Sequence, residues 1–424
     1  MGACKSIIKQ HLKQMTSNNK PEEKKQQPDL KELDERPEFN EFAENPGFKQ
    51  SIQSQLNHYS GGGSSKITNL SSLTNNIAET SKKMNMLFTN ESLKQKSKVV
   101  SFKRKSISNM DTNSIQNEFL QNSWLSSNFE KHSIKQIGAG GFGCVFSATS
   151  LKTNGEIAIK VLKVSPKDDM KQMMNEVMIM ISLNGCSNII RIDDLFADTV
   201  KRQVLFAMEL GKSSLGDLIQ RANGNISCHL ILQIIMDCIN GLEYASNRGF
   251  AHMDIKPENI IYFDGISRKN YPDLQKNAVE DDNKIFKLSD WGGGLLRASM
   301  TTEVDTCYSY SPGYAAPEII NDDIELFNPS KVDIFAFGMT LLYCCGVPLK
   351  NFRHLSVLTD AKKYERDLNE IIDSLDPSYC KLKLILTKML SYNPEERIGL
   401  ASLQKLMKFV IEGGSITDYD NVRF

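Results

Sequence analysis

The run His252-Met253-Asp254-Ile255-Lys256-Pro257-Glu258-Asn259 sets a carboxylate, a cation and an amide within six residues. A carboxylate is a group that accepts a hydroxyl proton, and an amide oxygen is one that helps hold a divalent cation against phosphate oxygens. That is the division of labour phosphoryl transfer requires. Singly, Asp254 or Pro257 is ordinary punctuation at a helix start. Eight residues in pattern point to chemistry instead.

Other segments bear on the same reaction. Ile137-Gly138-Ala139-Gly140-Gly141-Phe142-Gly143-Cys144-Val145 contains G-x-G-x-x-G-x-V, and glycines at such spacing let backbone N–H groups approach phosphate oxygens closely. The same spacing marks dinucleotide-binding folds, where a helix follows at once and an acidic residue comes about 20 positions on. Here a second strand follows. Residues 156–162 are β-branched and apolar around one cation, Lys160, which stands 17 residues after Gly143. A lone strand lysine is ordinarily solvated, but the next helix offers it a counter-charge. Ser165 suits the N-cap of that helix, Pro166 its first position and Asp168 and Asp169 its positive end, while Gly185 marks the stop. Met170, Met173, Val177, Met180 and Ile181 recur at helical spacing, with Glu176 at the edge of their stripe. A carboxylate facing a core needs a partner. Lys160 is the natural one, and a boundary glutamate reaching water is the alternative.

Further on come Lys287-Leu288-Ser289-Asp290-Trp291-Gly292, then Ala316-Pro317-Glu318, Lys331-Val332-Asp333-Ile334-Phe335-Ala336-Phe337-Gly338 and Asn393-Pro394-Glu395-Glu396-Arg397. In this order the segments resemble the eukaryotic protein kinase superfamily over residues 129–412. The resemblance implies that Asp254 is the catalytic base, that Lys160 is positioned by Glu176, and that Asn259 and Asp290 hold Mg2+. It places ATP against Ile137, Gly138, Gly140, Gly143, Val145, Ala158, Lys160 and Ile261, with the hinge backbone at Glu209 and Leu210 pairing with adenine. Lys256 and Ser311 match the residues that mark serine/threonine rather than tyrosine kinases. Glu318 is expected to be buried against Arg397, and Asp333 to anchor the catalytic loop.

Two departures stand out. Trp291 replaces the phenylalanine of the family's D-F-G element, and Met253 replaces the usual arginine before the catalytic aspartate. Without that arginine, the cationic pocket that grips a phosphorylated activation loop lacks its central member, so loop phosphorylation is not expected to be the main switch. Thr301, Thr302, Thr306, Tyr308 and Ser309 remain candidate modification sites. A pseudokinase scaffold would keep the fold and lose the chemistry, whereas Lys160, Glu176, Asp254, Asn259 and Asp290 are all present.

The elements that must position these residues form a two-lobed α+β fold. A small antiparallel sheet with one helix is expected from about Ile134 to Met208, followed by a mostly helical lobe, with ATP between them. Between Asn259 and Asp290 lie more positions than a tight strand pair needs, so 264–283 reads as a surface insertion. Residues 334–349 are too short and too interrupted to span a bilayer and read as a buried central helix.

Residues 1–128 are rich in Asn, Gln, Ser and Lys and read as a largely disordered tail. A second tail covers 413–424. The chain carries 51 Lys/Arg and 51 Asp/Glu, yet the first 128 residues hold 18 of the cations and 13 of the anions. No nucleic-acid partner is expected. The nine cysteines lack metal-site spacing and no secretory signal precedes them, so reduced thiols in a cytosolic setting are expected. Met1-Gly2-Ala3-Cys4-Lys5-Ser6 matches the N-myristoylation pattern, with Gly2 as acceptor and Cys4 as a palmitoylation site. Lys94, Lys96, Lys98, Lys103, Arg104 and Lys105 form a basic cluster interleaved with Leu93, Val99, Val100 and Phe102. An anionic membrane surface is therefore an expected partner, besides protein substrates with Ser/Thr acceptors, and the kinase is expected at the cytosolic face of a membrane.

Overall fold

The computed structural model describes residues 122–140, 143–163, 170–198, 203–224, 226–264, 284–296, 310–320, 326–348 and 360–411. Expectations about Gly2, Cys4, the basic cluster at 94–105, the helix-start residues 165–169, the insertion at 265–283, the hydroxyls at 301–309 and the tail at 413–424 lie outside these residues.

Strands β1 (Lys135–Gly140), β2 (Gly143–Thr149), β3 (Glu156–Lys163), β4 (Ile192–Asp198) and β5 (Gln203–Glu209) form an antiparallel sheet in the order β1-β2-β3-β5-β4. Helix α1 (Ser123–Asn128) precedes the sheet, and α2 (Met170–Ser182) is inserted between β3 and β4. α1 starts six residues ahead of the domain start at 129 read from the sequence. Asn122 caps it by accepting hydrogen bonds from the Trp124 and Leu125 amides.

Alternation along β3 divides its side chains between two faces. Ile157, Ile159 and Val161 share one apolar cluster with Leu125 and Phe129, while Leu162 belongs to another with Val177 and Met180 of α2. With both faces covered, β3 reads as a nearly continuous apolar run, as doubly buried strands do. Lys160 interrupts it.

The second lobe comprises β6 (Ser213–Ser214), α3 (Leu215–Arg221), α4 (Cys228–Ser246), β7 (Phe250–Ala251), β8 (Ile260–Phe263), β9 (Ile285–Leu288), β10 (Leu295–Leu296), α5 (Pro317–Ile320), α6 (Pro329–Cys344), α7 (Ala361–Asp373), α8 (Cys380–Met389) and α9 (Leu400–Ile411). The central helix read from sequence at 334–349 is α6, which starts five residues earlier, behind the Asn328 cap and Pro329, ends at Cys344 and is almost wholly buried. β8 pairs with β9 from Ile260↔Leu288 to Phe263↔Ile285, so the segment between them departs from and returns to one closed ladder. The β9 end also ties the lobes together, because the Ile190 amide donates to the Leu288 carbonyl.

Candidate functional site

Two groups of linked polar side chains meet in the structure. In the first, the Lys160 ammonium on β3 lies 2.5 Å from Glu176 Oε1 of α2 and 2.9 Å from Asp290 Oδ1. Glu176 is buried rather than reaching water, as its place beside the α2 stripe required. Burial by itself would push the Lys160 ammonium down, but the charges of Asp290 and Glu176 outweigh it and hold the group above the usual lysine range. Burial would likewise raise Asp290, and the Lys160 charge and hydrogen bond overcome it and keep this carboxylate below its ordinary value. Both groups are therefore charged across the neutral range.

In the second group, Lys256 Nζ donates to Asp254 Oδ2 at 2.7 Å and to Ser311 Oγ at 2.8 Å. Asn259 Nδ2 donates to the Asp254 carbonyl at 2.8 Å and to its Oδ2 at 3.3 Å. Asp254 is only 4% exposed, and its Oδ1 has no hydrogen-bond partner among the described residues. A buried, unpartnered carboxylate oxygen is costly, so it marks a position built to accept a hydrogen bond from something absent here.

The backbone holds both groups in unusual conformations. Met253 and Asp290 both have positive φ, 65° and 61°, a region that costs roughly 1–3 kcal/mol for residues other than glycine. Asp333 on α6 fixes the first of these. Its buried carboxylate accepts from the His252 and Met253 amides, each at 2.7 Å, and charge-assisted bonds of this kind offset the strain. Asp333 thus occupies the anchoring place expected of it. His252 Nε2 lies 2.9 Å from the Ser289 carbonyl, and its ring is 4.5 Å from that of Trp291. Trp291 is 1% exposed, and its indole N–H lacks an acceptor among the described residues. Met253 is buried too.

The glycine-rich hairpin is β1 and β2, with Gly140 paired to Gly143. Gly143 has φ +147°, and a Cβ there would stand 2.0 Å from the Val161 carbonyl oxygen, so only glycine brings β2 this close to β3. Val145 is directly opposite Lys160, Ala158 opposite Met208, and Gly138 opposite Val145. Ile137 falls at a register shift in β1 and is 52% exposed. The hinge lies at the end of β5. There the Glu209 carboxylate is engaged by Lys287 Nζ at 2.8 and 2.9 Å and by the Arg191 amide at 2.7 Å. Any contact of Glu209 with a nucleotide is therefore left to its backbone. Leu210 follows it, half-buried, and a Cβ on Gly211 would come within 2.2 Å of Ile261 Cγ2, which brings the hinge against β8.

Sequence reasoning missed the Glu209–Lys287 pair and the contacts of α1. The first joins two strand residues 78 positions apart, and the second joins a short apolar group to a remote sheet.

The donor set suits a magnesium–nucleotide complex. Asp290 Oδ1 is taken by Lys160, while its side chain stays 28% exposed. Asn259 has its amide nitrogen bound to Asp254, which leaves its oxygen as the remaining ligand atom. No cluster of three His, Cys, Asp or Glu able to hold a metal occurs among the described residues. Mg2+ is ordinarily held by one or two protein oxygens together with water and substrate phosphates, so a two-residue set fits it.

The segment after the cleft is anchored separately. Glu318 of α5 forms a two-pronged pair with Arg397, Nη1 to Oε1 at 2.5 Å and Nη2 to Oε2 at 2.9 Å, and both residues are buried. This is the expected pairing.

Among protein families, the protein kinase domain matches residues 131–409. The chain is 29% identical over 235 residues to the DNA damage response protein kinase DUN1 of Saccharomyces cerevisiae, covering 52% of this chain and 44% of that protein. It is 25% identical over 279 residues to CBL-interacting serine/threonine-protein kinase 20 of Arabidopsis thaliana, covering 64% and 56%. MAP kinase-activated protein kinase 2 of Drosophila melanogaster is 26% identical over 273 residues, covering 62% and 69%. The chain spans about half the length of the first two relatives.

Proposed function

The chain belongs to the protein kinase family, of the serine/threonine type, and from that premise we propose that it transfers the γ-phosphate of ATP to serine and threonine hydroxyls of protein substrates. The observation that carries this reading is the buried, unpartnered Oδ1 of Asp254, beside a lysine that also holds Ser311.

In this reading Asp254 Oδ1 accepts the hydrogen bond of the acceptor hydroxyl and then its proton. Lys256 fixes the other oxygen, so the free one faces the acceptor. Because Lys256 is bridged to Ser311, the arrival of the Ser311–Glu318 segment and the orientation of the base are one event. Lys160, held by Glu176, binds nucleotide phosphates, while Asp290 and Asn259 supply the oxygens for Mg2+. Bound Mg2+–ATP supplies the electrophilic phosphorus and the cation that neutralises charge around it. Val145, Ala158 and Ile261 form the apolar walls for the base, with Ile137, Gly138, Gly140 and Gly143 over the phosphates and the Glu209–Leu210 backbone at its edge. The ordering of these groups before substrate binds is what makes them catalytic.

The test is phosphate transfer from γ-labelled ATP to a peptide library with Ser, Thr and Tyr acceptors. Phosphoserine and phosphothreonine are expected. Label confined to tyrosine, or no label above that of an Asp290→Asn variant, overturns the assignment.

We further propose that the enzyme works at the cytosolic face of a membrane. In a chain translated from Met1, Gly2 is the acyl acceptor and Cys4 a second site. One myristoyl chain binds only marginally, and each cation near an anionic leaflet adds on the order of 1 kcal/mol, so the 94–105 cluster supplies the second anchor. Phosphates on Ser97, Ser101, Ser106 and Ser108 would reverse it. No helix among the described residues is long and apolar enough to cross a membrane. Flotation with anionic liposomes compares acylated wild type, Gly2→Ala and a variant with those four serines changed to Glu. Wild type alone is expected to float efficiently, and equal binding by all three refutes both anchor and release.

A further inference from the structure

The kinase family match begins at residue 131, and the described residues already include a capped helix that starts nine residues earlier, at its N-cap Asn122. Asn122 to Glu130 form a strap across the sheet face opposite α2. Trp124 stacks on Phe196 of β4, with ring centroids 5.5 Å apart and planes 7° from parallel, and meets Phe129 edge-on at 5.2 Å. Its indole N–H donates to Asp194 Oδ2 at 3.3 Å. Beyond α1 the strap pairs with the end of β2. Phe129 bridges to Ser150, the Glu130 amide donates to the Thr149 carbonyl at 2.8 Å, and the Leu151 amide to the Asn128 carbonyl at 2.9 Å.

What the strap covers matters for the site. Leu125 and Phe129 pack in one cluster with Ile159 and Val161, the two residues flanking Lys160 on β3. On a strand, fixing the side chains on one face fixes the direction of those between them on the other. A second route leads to Glu176. β4, which the strap holds through Asp194 and Phe196, begins at Ile192, and there Asn184 closes a double hydrogen bond: its Nδ2 donates to the Ile192 carbonyl at 2.9 Å and its Oδ1 accepts from the Ile192 amide at 3.1 Å. Asn184 lies just past the end of α2, the helix that carries Glu176. The strap is therefore linked to both members of the Lys160–Glu176 pair, to Lys160 by packing on the opposite face of β3 and to Glu176 through β4 and Asn184.

We propose that this strap is a positioning element for phosphoryl transfer, with Trp124 as its anchor, and that its docking sets the geometry of Lys160 and Glu176. The proposal rests on the kinase reading above. It makes a specific demand on kinetics: the nucleotide side of the reaction responds to the strap and the peptide side does not, because Lys256, Asp254 and Ser311 belong to the other lobe.

The experiment uses the full chain. Trp124→Ala, Trp124→Leu and Trp124→Phe are compared with wild type for kcat, for KM of ATP and of a mixed Ser/Thr peptide substrate, and for Kd of a fluorescent ATP analogue with Mg2+. Misplacing a catalytic group from a distance costs on the order of tenfold or more, so Trp124→Ala is expected to lower kcat/KM for ATP about tenfold with peptide KM unchanged. Trp124→Phe restores the stack on Phe196 and recovers most of that loss. If Trp124→Ala fails to fold, Trp124→Leu keeps apolar bulk without a flat ring and carries the same expectation at smaller amplitude. A lowered melting temperature with unaltered ATP kinetics and analogue affinity reduces the strap to packing and overturns the proposal. A rise in the KM of the peptide as large as that in the KM of ATP overturns it as well. An inactive wild type removes the kinase reading and with it the role in phosphoryl transfer, and the analogue Kd then decides whether docking of the strap sets the Lys160–Glu176 geometry: weakened binding in Trp124→Ala supports that link, unchanged binding overturns it.

Discussion

Removing Arg397 should cost far more than removing its partner. The Arg397 guanidinium is 1% exposed and the Glu318 carboxylate 4%, so neither charge has water to fall back on. Arg397, however, has other partners: it donates to the carbonyls of Lys331 at 2.8 Å, Ser391 at 3.1 Å and Tyr392 at 3.4 Å, and lies 4.9 Å over the Phe335 ring. Lys331 Nζ in turn donates to the Arg397 carbonyl. In Glu318→Gln the guanidinium keeps these carbonyls and the ring, so the loss is that of a charged hydrogen bond, about 1–3 kcal/mol. In Arg397→Met the carboxylate is left buried without its partner and three carbonyls lose a donor, about 3–5 kcal/mol. For a domain of this size each kcal/mol moves the melting midpoint by about 2–4 °C, so Arg397→Met should lower it by roughly 6–20 °C. The double variant Glu318→Leu/Arg397→Met removes both charges. It should be more stable than Arg397→Met alone, while retaining a loss of about 1–3 kcal/mol from the orphaned carbonyls. Thermal melts of the three variants decide the matter. Equal losses for the two single variants, or a double variant no better than Arg397→Met, would show that the cost is not an unpaired buried charge.

Other expectations follow from the same geometry. Trp291→Phe removes an indole N–H that has no acceptor among the described residues and keeps a ring against His252, so gain and lost volume nearly cancel, and stability should change by less than about 1 kcal/mol with activity retained. A loss of several kcal/mol in a melt would mean the N–H is bonded. The Lys160–Asp290 contribution to stability is fully present below the ordinary lysine value of 10.5 and above the ordinary aspartate value of 3.8. It is lost only as pH rises through the raised Lys160 value or falls through the depressed Asp290 value. A double-mutant cycle with Lys160→Met and Asp290→Asn should therefore give the same coupling at about pH 5.5 and about pH 9, and a coupling halved at the higher value contradicts the raised lysine. Met253 stands where the family resemblance implies an arginine that grips a loop phosphate, so phosphatase-treated enzyme should keep most of its activity. A loss above about tenfold, restored by loop phosphorylation, would show that other cations substitute.

The residues of the site were legible because they occur in short runs whose spacing is set by one turn or one strand. Asp254, Lys256 and Asn259 need only a local loop, and Lys160 only a strand. The pairings across the chain were legible in part. Glu176 as partner of Lys160 followed from the cost of a carboxylate beside an apolar stripe, whereas Arg397 for Glu318 came from family resemblance, since 79 positions separate them. Glu209 and Lys287 were illegible as a pair, because a charged residue at a strand end reads as solvated until the two sheets are brought together. The strap escaped for a related reason. Trp124, Leu125 and Phe129 make too short an apolar group to announce a helix, and their partners lie on three remote strands. A signal was nonetheless present: residues 157–162 are apolar on both faces apart from Lys160, and α2 covers only one. A strand buried on both sides requires a second cover, and the nearest unassigned aromatic residues were those just before β1.

The central claim is that Asp254, with its free buried oxygen, takes the proton of a substrate hydroxyl. The most direct measurement is the rate of γ-phosphate transfer to a Ser/Thr peptide by wild type and by Asp254→Asn, each saturated with Mg2+–ATP, with nucleotide affinity measured in parallel. The account predicts a fall in kcat of about 10²–10⁴-fold with nucleotide affinity unchanged within about twofold, because the substitution removes a base and leaves Lys160, Asp290 and the hinge in place. Equal rates in the two proteins, with the amide variant folded and binding nucleotide, would contradict it.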